Sequence, residues 1–234
     1  MARTAVIAGV GPGLGASLAN RFAAEGCQLG LFARSEYAED LAAEIREGTP
    51  GDAVGVRADI AERDAVREGF AAVREAFGPV DVLVNHASDA PWAGVDIDPA
   101  DFERSLQVGP VGSLNCTQAA LADMRERGGT VLFTGATSAV RGREGALGFS
   151  AAKFALRGMA QSLARELGPE GIRVAHVVID GQIATPAARQ RRDEADLLDP
   201  DDLADTYWQL LEGGVSTTTF EVHVTNGRQD IEFL

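Results

Sequence analysis

The chain has 234 residues, 45% of them hydrophobic, which is enough for one large α/β domain, residues 1–234, with a sheet covered on both faces. Its 21 Lys and Arg residues stand against 35 Asp and Glu residues, and the net charge of -14 argues against nucleic acid or an anionic membrane as a partner. No apolar run is long enough to span a membrane and no cleavable leader is recognisable, so we expect a cytoplasmic protein.

Apolar runs alternate with amphipathic segments along the chain. Strands are predicted at residues 5–8, 28–33, 53–58, 80–84, 130–134, 172–179 and 219–224, and helices at 16–25, 36–46, 61–77, 99–127, 150–167 and 201–211. Strands that alternate with helices are joined by right-handed crossovers. The pattern therefore predicts a doubly wound parallel sheet of about seven strands with helices on both faces.

Two local features qualify this pattern. Gly109 and Pro110 fall inside the long predicted helix, where proline removes an amide donor and collides with the carbonyl of Leu106, so we expect a kink or break. Cys27 and Cys116 lack the spacing of metal ligands. We interpret both thiols as buried apolar groups and expect no metal.

A glycine cluster follows the first predicted strand directly. Gly9, Gly11, Gly13 and Gly15 precede and enter an amphipathic helix, with Leu14 among them. Glycines let the backbone approach a pyrophosphate, while the amides of the helix N-terminus point at its negative charge. The cluster predicts a dinucleotide site, although a tight turn without a ligand would have the same composition.

The end of the second predicted strand bears on the choice of cofactor. A carboxylate there would accept hydrogen bonds from ribose hydroxyls, whereas an arginine would pair with a 2'-phosphate. This chain has Arg34 at that point and no carboxylate before Glu36. NADP(H) is therefore favoured over NAD(H), provided that Arg34 points inward and not into solvent.

These motifs resemble those of the short-chain dehydrogenase/reductase family, and the resemblance covers nearly the whole chain. It implies a Rossmann-type fold and a bound dinucleotide. The matching segments are the glycines at 9, 13 and 15, Asp-Ile at 59–60 after strand three, Asn-His-Ala-Ser at 85–88 after strand four, the segment 149–153, and the segment 180–185 after strand six. The cofactor-binding residues that it implies are Gly9, Gly11, Gly13, Leu14, Gly15, Arg34, Asp59, Ile60, Asn85, Ala87, Lys153, Gly181, Ile183 and Thr185.

The catalytic residues of the family are retained only in part. Its lysine, which binds the nicotinamide ribose, corresponds to Lys153, but its tyrosine acid corresponds to Phe149. Its serine falls at Ala136 by a gap-free count, and its helix-breaking asparagine falls at Gly109. A phenyl ring cannot give a proton to a carbonyl oxygen as hydride arrives, so ordinary carbonyl reduction should be weakened.

Several residues could replace the missing acid. Ser138 is the first choice, because a shift of two residues along the strand would turn it to the same side as Ala136. Asp180 is another, since a carboxylate near the nicotinamide could act as a base, although forming a turn with Gly181 is the commoner use of such a residue. The remaining candidates are Thr137, His86, Asp89, Arg141 and Glu144.

The resemblance also bears on the surroundings of the site. It places a short substrate lid at about residues 185–203 and a homodimer or homotetramer interface on the fourth and fifth predicted helices. The expected function is an atypical NADP(H)-dependent reduction of a carbonyl, imine or activated alkene, acting on a small molecule. The alternatives are a non-redox isomerase, dehydratase or cyclase on the same scaffold, or a regulatory protein that binds a dinucleotide.

Overall fold

Strands and helices alternate in a computed structural model that describes residues 2–213 and 217–227. The strands are β1 Thr4–Ala8, β2 Gln28–Ala33, β3 Asp52–Arg57, β4 Val82–Asn85, β5 Gly129–Thr134, β6 Ile172–Asp180, β7 Gln182–Ile183, β8 Leu197–Leu198 and β9 Glu221–Thr225. The helices are α1 Leu14–Ala24, α2 Tyr37–Gly48, α3 Arg63–Phe77, α4 Pro99–Leu106, α5 Gly112–Arg127, α6 Leu147–Leu167, α7 Pro186–Arg189 and α8 Pro200–Glu212.

Seven of the strands form one sheet in the order β3-β2-β1-β4-β5-β6-β9, and all neighbours in it are parallel. This confirms the predicted sheet. The chain crosses from β3 to β4 on the other side of β1, so the loops after β1 and β4 leave the sheet in opposite directions. They open a crevice at the carboxyl ends of these strands, where such sheets bind ligands.

The core lies in two layers. One layer packs α1, α2 and α8 on one face of the sheet, with Phe22, Ile45 and Tyr207 fully buried in it. The other packs α3, α5 and α6 on the opposite face, with Phe70 and Ala160 fully buried. Apolar side chains cover both faces of the parallel strands, as crossovers on both sides of a sheet require.

The predicted break at Gly109 and Pro110 takes a milder form. Residues Gln107–Val111 form one π-helical turn, and the chain continues from α4 through this turn into α5. Proline lacks an amide donor, and the wider turn accommodates it without ending the helix. The predicted start of α6 at residue 150 is wrong, because helical hydrogen bonding begins earlier, with Ser150 N donating to Ala146 O at 2.8 Å.

The segment predicted as a lid contains short regular elements. α7 follows Thr185, whose hydroxyl accepts from Ala188 N at 3.1 Å, and β8 then pairs with β7 through Ile183 and Leu198. This pairing ties the segment to the end of β6. Cys27 and Cys116 are buried free thiols, and across residues 2–213 and 217–227 no helix is both long and apolar enough to cross a membrane.

Candidate active site

The turn between β1 and α1 can only be made with glycine at two of its positions. Gly9 and Gly13 have φ angles of 108° and 136°, which side-chain-bearing residues rarely adopt. A Cβ atom on Gly9 would lie 2.5 Å from the Ala87 backbone, and one on Gly13 would lie 2.9 Å from the Thr185 methyl carbon. The turn therefore packs directly on the loops after β4 and β6, and α1 starts behind it.

Gly11 differs from its neighbours, because a Cβ atom there would meet nothing within 4 Å. It faces a cleft of about 720 Å³ that runs along the carboxyl ends of β1, β2, β3 and β4. Among the described residues no side chain caps the start of α1, so the amides of Leu14 and Gly15 at its first turn remain available to an anion. Of the residues predicted to bind a cofactor, those lining this cleft are Gly9, Gly11, Gly13, Leu14, Gly15, Arg34, Asp59, Ile60, Ala87, Ile183 and Thr185.

Arg34 makes one end of the cleft positive, and Arg57 lies beside it; we call this pair the basic rim. Arg34 lines the cleft and is exposed just beyond β2. Arg57, which sequence reasoning missed, ends β3 in register with Ala33, and its Nε donates to the Arg34 carbonyl at 3.2 Å. The pairing of β2 with β3 was the signal that could have found Arg57. A phosphate at this end of the cleft would meet the Arg34 guanidinium, with the Arg57 charge nearby on the neighbouring strand.

Asp59 lies on the same end of the cleft as an ion-paired carboxylate. Its Oδ2 accepts from the Arg104 guanidinium at 2.5 Å, and its Oδ1 accepts from the Ala61 amide at 3.0 Å. Burial raises the pKa of Asp59, but the hydrogen bonds from Ala61 and Arg104 outweigh it and hold that pKa below its ordinary value. The carboxylate is therefore ionised at neutral pH and held in place, with a further lone pair on each oxygen for a ligand.

A second cavity of about 230 Å³ continues from the cleft. Four residues, His86, Ser88, Ile183 and Thr185, line both spaces, so the two meet there. Lys153, Phe149, Ser138 and Gly181 line the second cavity, as do Ala136, Thr137, Trp92 and Arg143. A ligand that extends along the cleft would therefore bring one end to the lysine and the phenyl ring.

Phe149 and Lys153 stand one helical turn apart on α6 and meet in this cavity. The Lys153 ammonium lies 5.4 Å from the centre of the Phe149 ring, and that ring packs against Trp92 with a centroid distance of 5.8 Å. The Arg143 guanidinium in turn lies 5.2 Å from the centre of the Trp92 ring. The ring that occupies the predicted tyrosine position thus has no polar atom to offer and is held by aromatic and cation contacts.

Lys153 is the most deeply buried cation of the site, with 3% of its surface exposed. Its Nζ donates to the carbonyl oxygen of Thr134 at 2.7 Å, and none of the described carboxylates pairs with it. Burial lowers the pKa of Lys153 to about 8. An ammonium with such a pKa is an acid of useful strength at neutral pH.

His86 belongs to a hydrogen-bonded chain that sequence reasoning did not find. Its Nδ1 lies 3.2 Å from the Thr134 hydroxyl, and that hydroxyl accepts a hydrogen bond from the Tyr207 hydroxyl at 2.7 Å. Tyr207 is fully buried on α8, and burial raises the pKa of its phenol. Burial, together with the nearby Lys153 charge, lowers the pKa of His86 to about 4, so the imidazole is neutral at pH 7.

The predicted replacement acids are placed unequally. Ser138 is 2% exposed and lines the second cavity from a 3₁₀ turn at Thr137–Ala139. Asp180 does not line either space, because its carboxylate accepts from the Thr137 hydroxyl and lies 3.8 Å from the Arg141 guanidinium. Ser138 is therefore near the reacting end, whereas Asp180 is held behind it.

Two other predicted positions lie away from the cavities. The Asn85 side chain is buried, donating to the Thr117 hydroxyl at 3.2 Å, and its Oδ1 has no partner among the described residues. Gly109 faces α6, where a Cβ atom would lie 3.1 Å from the Ala152 methyl carbon. Among the described residues, no cluster of His, Cys, Asp or Glu has the arrangement of a metal site.

Comparison with known proteins agrees with this architecture. The short chain dehydrogenase family matches residues 3–196. D-xylose 1-dehydrogenase of Caulobacter vibrioides is 36% identical over 183 residues, which are 77% of this chain and 71% of that protein. The 3-ketoacyl-(acyl-carrier-protein) reductase from Brucella melitensis, solved in complex with NADH, superposes with a TM-score of 0.85 at 29% identity, covering 97% of this chain and 98% of that one.

At 23% identity, an alcohol dehydrogenase from the archaeon Thermococcus sibiricus, complexed with 5-hydroxy-NADP, shares the fold with a TM-score of 0.89 over 100% of both chains. The match over residues 3–196 extends from β1 through the glycine turn and α6 to the segment after β6. It thus includes every element that lines the cleft and the second cavity. The chain therefore belongs to the short-chain dehydrogenase family, a family of oxidoreductases.

Proposed function

We propose that this protein is an NADP(H)-dependent oxidoreductase that reduces a carbonyl, imine or activated alkene of a small molecule without a tyrosine acid. The main support for this proposal is that the cleft and the second cavity are continuous with each other. A cleft built for a phosphate-bearing ligand leads into a cavity that holds Lys153, while Phe149 occupies the place of the acid. An imine already protonated, or an alkene whose charge is delocalised, would depend least on the missing phenol.

The residues present fit a dinucleotide. The glycine turn would hold the pyrophosphate, Asp59 and Ile60 the adenine, and Ile183 and Thr185 the nicotinamide end. Similar proteins have been solved both with 5-hydroxy-NADP and with NADH. The basic rim formed by Arg34 and Arg57 supports NADP(H) for this chain.

When bound, NADPH supplies the hydride. The protein then has to stabilise and neutralise the negative charge that develops on the substrate oxygen or nitrogen. Lys153 lines the cavity and has a pKa of about 8, so its ammonium can give a proton there and regain one from solvent. Ser138, a weak acid, supports substrate orientation by hydrogen bonding.

A non-redox reaction, such as isomerisation, dehydration or cyclisation, is the second candidate. It is favoured by the combined loss of polar groups at Phe149, Ala136 and Gly109 beside an intact nucleotide cleft. Under this alternative the protein binds a nucleotide tightly but shows no change in 340 nm absorbance with any carbonyl, imine or enone.

The first prediction concerns the basic rim. Arg34→Ala is expected to raise the Kd for NADPH by about 10- to 100-fold, because a charged hydrogen bond to phosphate contributes about 1.5–3 kcal/mol. The Kd for NADH should stay within about twofold, since that cofactor has no 2'-phosphate to lose. Fluorescence titration of both nucleotides measures this difference. Arg67→Ala is the matched control, because the Arg67 side chain is exposed on α3, away from the cleft, and lies 3.6 Å from the Asp64 carboxylate. Equal losses for NADPH and NADH would contradict a phosphate contact.

The second prediction concerns the missing acid. Phe149→Tyr is expected to raise the rate of simple ketone reduction with NADPH by about 10- to 100-fold, since a positioned acid is typically worth about 10²–10⁴ and the serine partner is still absent. The assay follows 340 nm absorbance for wild type and variant across ketones, imines and enones. Phe149→Leu controls for loss of the ring. If wild type and Phe149→Tyr both bind NADPH but turn over none of these compounds, the redox proposal fails and the non-redox reading stands.

We also propose a homodimer or homotetramer that uses the outer faces of α5 and α6. Large apolar side chains are exposed on this part of the molecule, where Leu114 is 39%, Leu147 is 46% and Phe154 is 45% exposed. Exposed groups of this size on adjacent helices are typical of an interface between subunits.

A further inference from the structure

The hydrogen bonds that link Tyr207, Thr134 and His86 determine which imidazole nitrogen of His86 carries the proton. The Tyr207 hydroxyl is fully buried, and within residues 2–213 and 217–227 its only hydrogen-bond partner is the Thr134 hydroxyl at 2.7 Å. The phenol must therefore donate, since otherwise its proton would be buried without an acceptor. The Thr134 hydroxyl then has its own proton free to donate onward, to His86 Nδ1 at 3.2 Å. The neutral His86 ring consequently carries its proton on Nε2.

The Nε2 atom of His86 is open to the cavities. No described group forms a hydrogen bond with it. Among the described residues, the buried side-chain nitrogen and oxygen atoms that lack a partner are Asn85 Oδ1 and His176 Nε2. His86 Nε2 is not one of them, so this atom is accessible. His86 lines both the nucleotide cleft and the second cavity. Its N–H therefore lies where the reacting ends of cofactor and substrate would meet.

The position of the ring is fixed from both sides. The backbone amide of His86 donates to the Ala8 carbonyl at 3.0 Å, and that of Ala87 donates to the same oxygen at 2.7 Å. Thr134 is held in turn by Lys153, which donates to its carbonyl at 2.7 Å. The imidazole is thus a preorganised donor, which costs no reorganisation when charge develops in front of it.

We propose that His86 is a catalytic residue of this chain, whose Nε2–H, oriented by Thr134 and Tyr207, donates a hydrogen bond to the oxygen of the carbonyl being reduced. The proposal rests on the proposed redox function. Bound NADPH would supply hydride to the carbonyl carbon and be released as NADP⁺, so the π electron pair of the carbonyl would move onto oxygen. That oxygen would accept the His86 hydrogen bond and take its proton from the Lys153 ammonium, which would regain one from solvent. Thr134 and Tyr207 act through His86 as positioning residues.

The tautomer can be measured without substrate. The protein contains only three histidines, so ¹⁵N-histidine labelling gives few signals, and His176→Gln and His223→Asn variants assign them. We expect His86 to be neutral and protonated on Nε2 at pH 7. In Tyr207→Phe the Thr134 hydroxyl is free to reverse, so the Nδ1–H form should appear. A wild-type imidazolium, or an Nδ1–H tautomer in the wild type, would overturn the proposal.

Kinetics test the catalytic step with the carbonyl compound that wild type reduces fastest. His86→Phe, which removes the donor, should lower kcat by about 100-fold or more with the Kd for NADPH unchanged, as loss of one oxyanion donor typically does. His86→Asn keeps an N–H donor and should lose less. Adding Phe149→Tyr to His86→Phe should restore much of the rate, and His223→Asn, on exposed β9, should behave as wild type.

The outcomes separate the two proposals. If wild type reduces carbonyls and folded His86→Phe stays within threefold of it, the role of His86 is refuted while the redox function stands. If wild type binds NADPH but reduces nothing, the redox function is refuted, and the role of His86 falls with it. Should His86→Phe not fold, Tyr207→Phe decides: a wild-type rate in a Tyr207→Phe protein whose His86 carries its proton on Nδ1 would refute the proposal.

Discussion

Lys153→Met is expected to stabilise the protein without nucleotide while reducing turnover at least about 100-fold. The ammonium is buried with 3% exposure and no described carboxylate beside it, and burial lowers its pKa from 10.5 to about 8. A shift of this size corresponds to about 3 kcal/mol of destabilisation at pH 7. Methionine has a similar volume and no charge, but it leaves the Thr134 carbonyl without its donor, which costs about 1 kcal/mol. The expected net gain is therefore about 2 kcal/mol.

The pH dependence of the stability difference between wild type and Lys153→Met tests independently whether the buried ammonium destabilises the protein. Between about pH 8 and 10.5 the unfolded chain keeps the Lys153 proton while the folded protein has released it. The free energy of unfolding of wild type should therefore rise with pH across this window relative to Lys153→Met. Urea unfolding of both proteins at pH 7 and pH 10 measures the difference. A variant less stable than wild type at pH 7 would show that Lys153 contributes to the fold, and a difference independent of pH would show that folding does not lower the pKa of Lys153.

Gly9→Ala is expected to destabilise the protein by about 2–5 kcal/mol, whereas Gly11→Ala should leave its stability unchanged. The φ angle of Gly9 is 108°, and a methyl group there would lie 2.5 Å from the Ala87 backbone, which belongs to the neighbouring loop and cannot rotate away. At Gly11 a methyl group meets nothing within 4 Å. It would instead project into the cleft, where a pyrophosphate approaches the backbone.

The two variants therefore separate folding from binding. Urea unfolding followed by circular dichroism should show the loss in Gly9→Ala alone. NADPH titration should show a Kd raised by about 10-fold or more in Gly11→Ala, equivalent to at least about 1.4 kcal/mol. Normal NADPH affinity in Gly11→Ala would mean that the nucleotide does not pass over this turn.

The fold was predictable because local patterns determine it. Buried strands such as β1 and β5 are short apolar runs next to turn residues, and their order in an alternating chain leaves few topologies. Ends of elements were harder to place. α6 begins at Leu147 without a capping side chain, so the sequence carried no start signal there. The proline at 110 was recognised, but whether a helix breaks or widens around it depends on what packs beside it.

The site was predictable where one segment forms it and not where distant segments meet. The glycine turn is indicated by its place between the first strand and the first helix, and the pair of Phe149 and Lys153 by the resemblance to the family's signature. Tyr207 reaches Thr134 across 73 positions in the chain, and Arg57 joins Arg34 through strand pairing. No local pattern contains such contacts, because they arise from packing of the finished sheet against α8 and of one strand against the next.

The close approach at Gly109 bears on how this active site can change over evolutionary time. A side chain at position 109 would have its Cβ 3.1 Å from the Ala152 methyl carbon, closer than neighbouring side chains normally pack, so α6 would have to yield before an asparagine could occupy it. A tyrosine at 149 takes one substitution, but an amide side chain at 109 needs a compensating change on a second helix. The two positions therefore differ in how readily they accept a polar side chain.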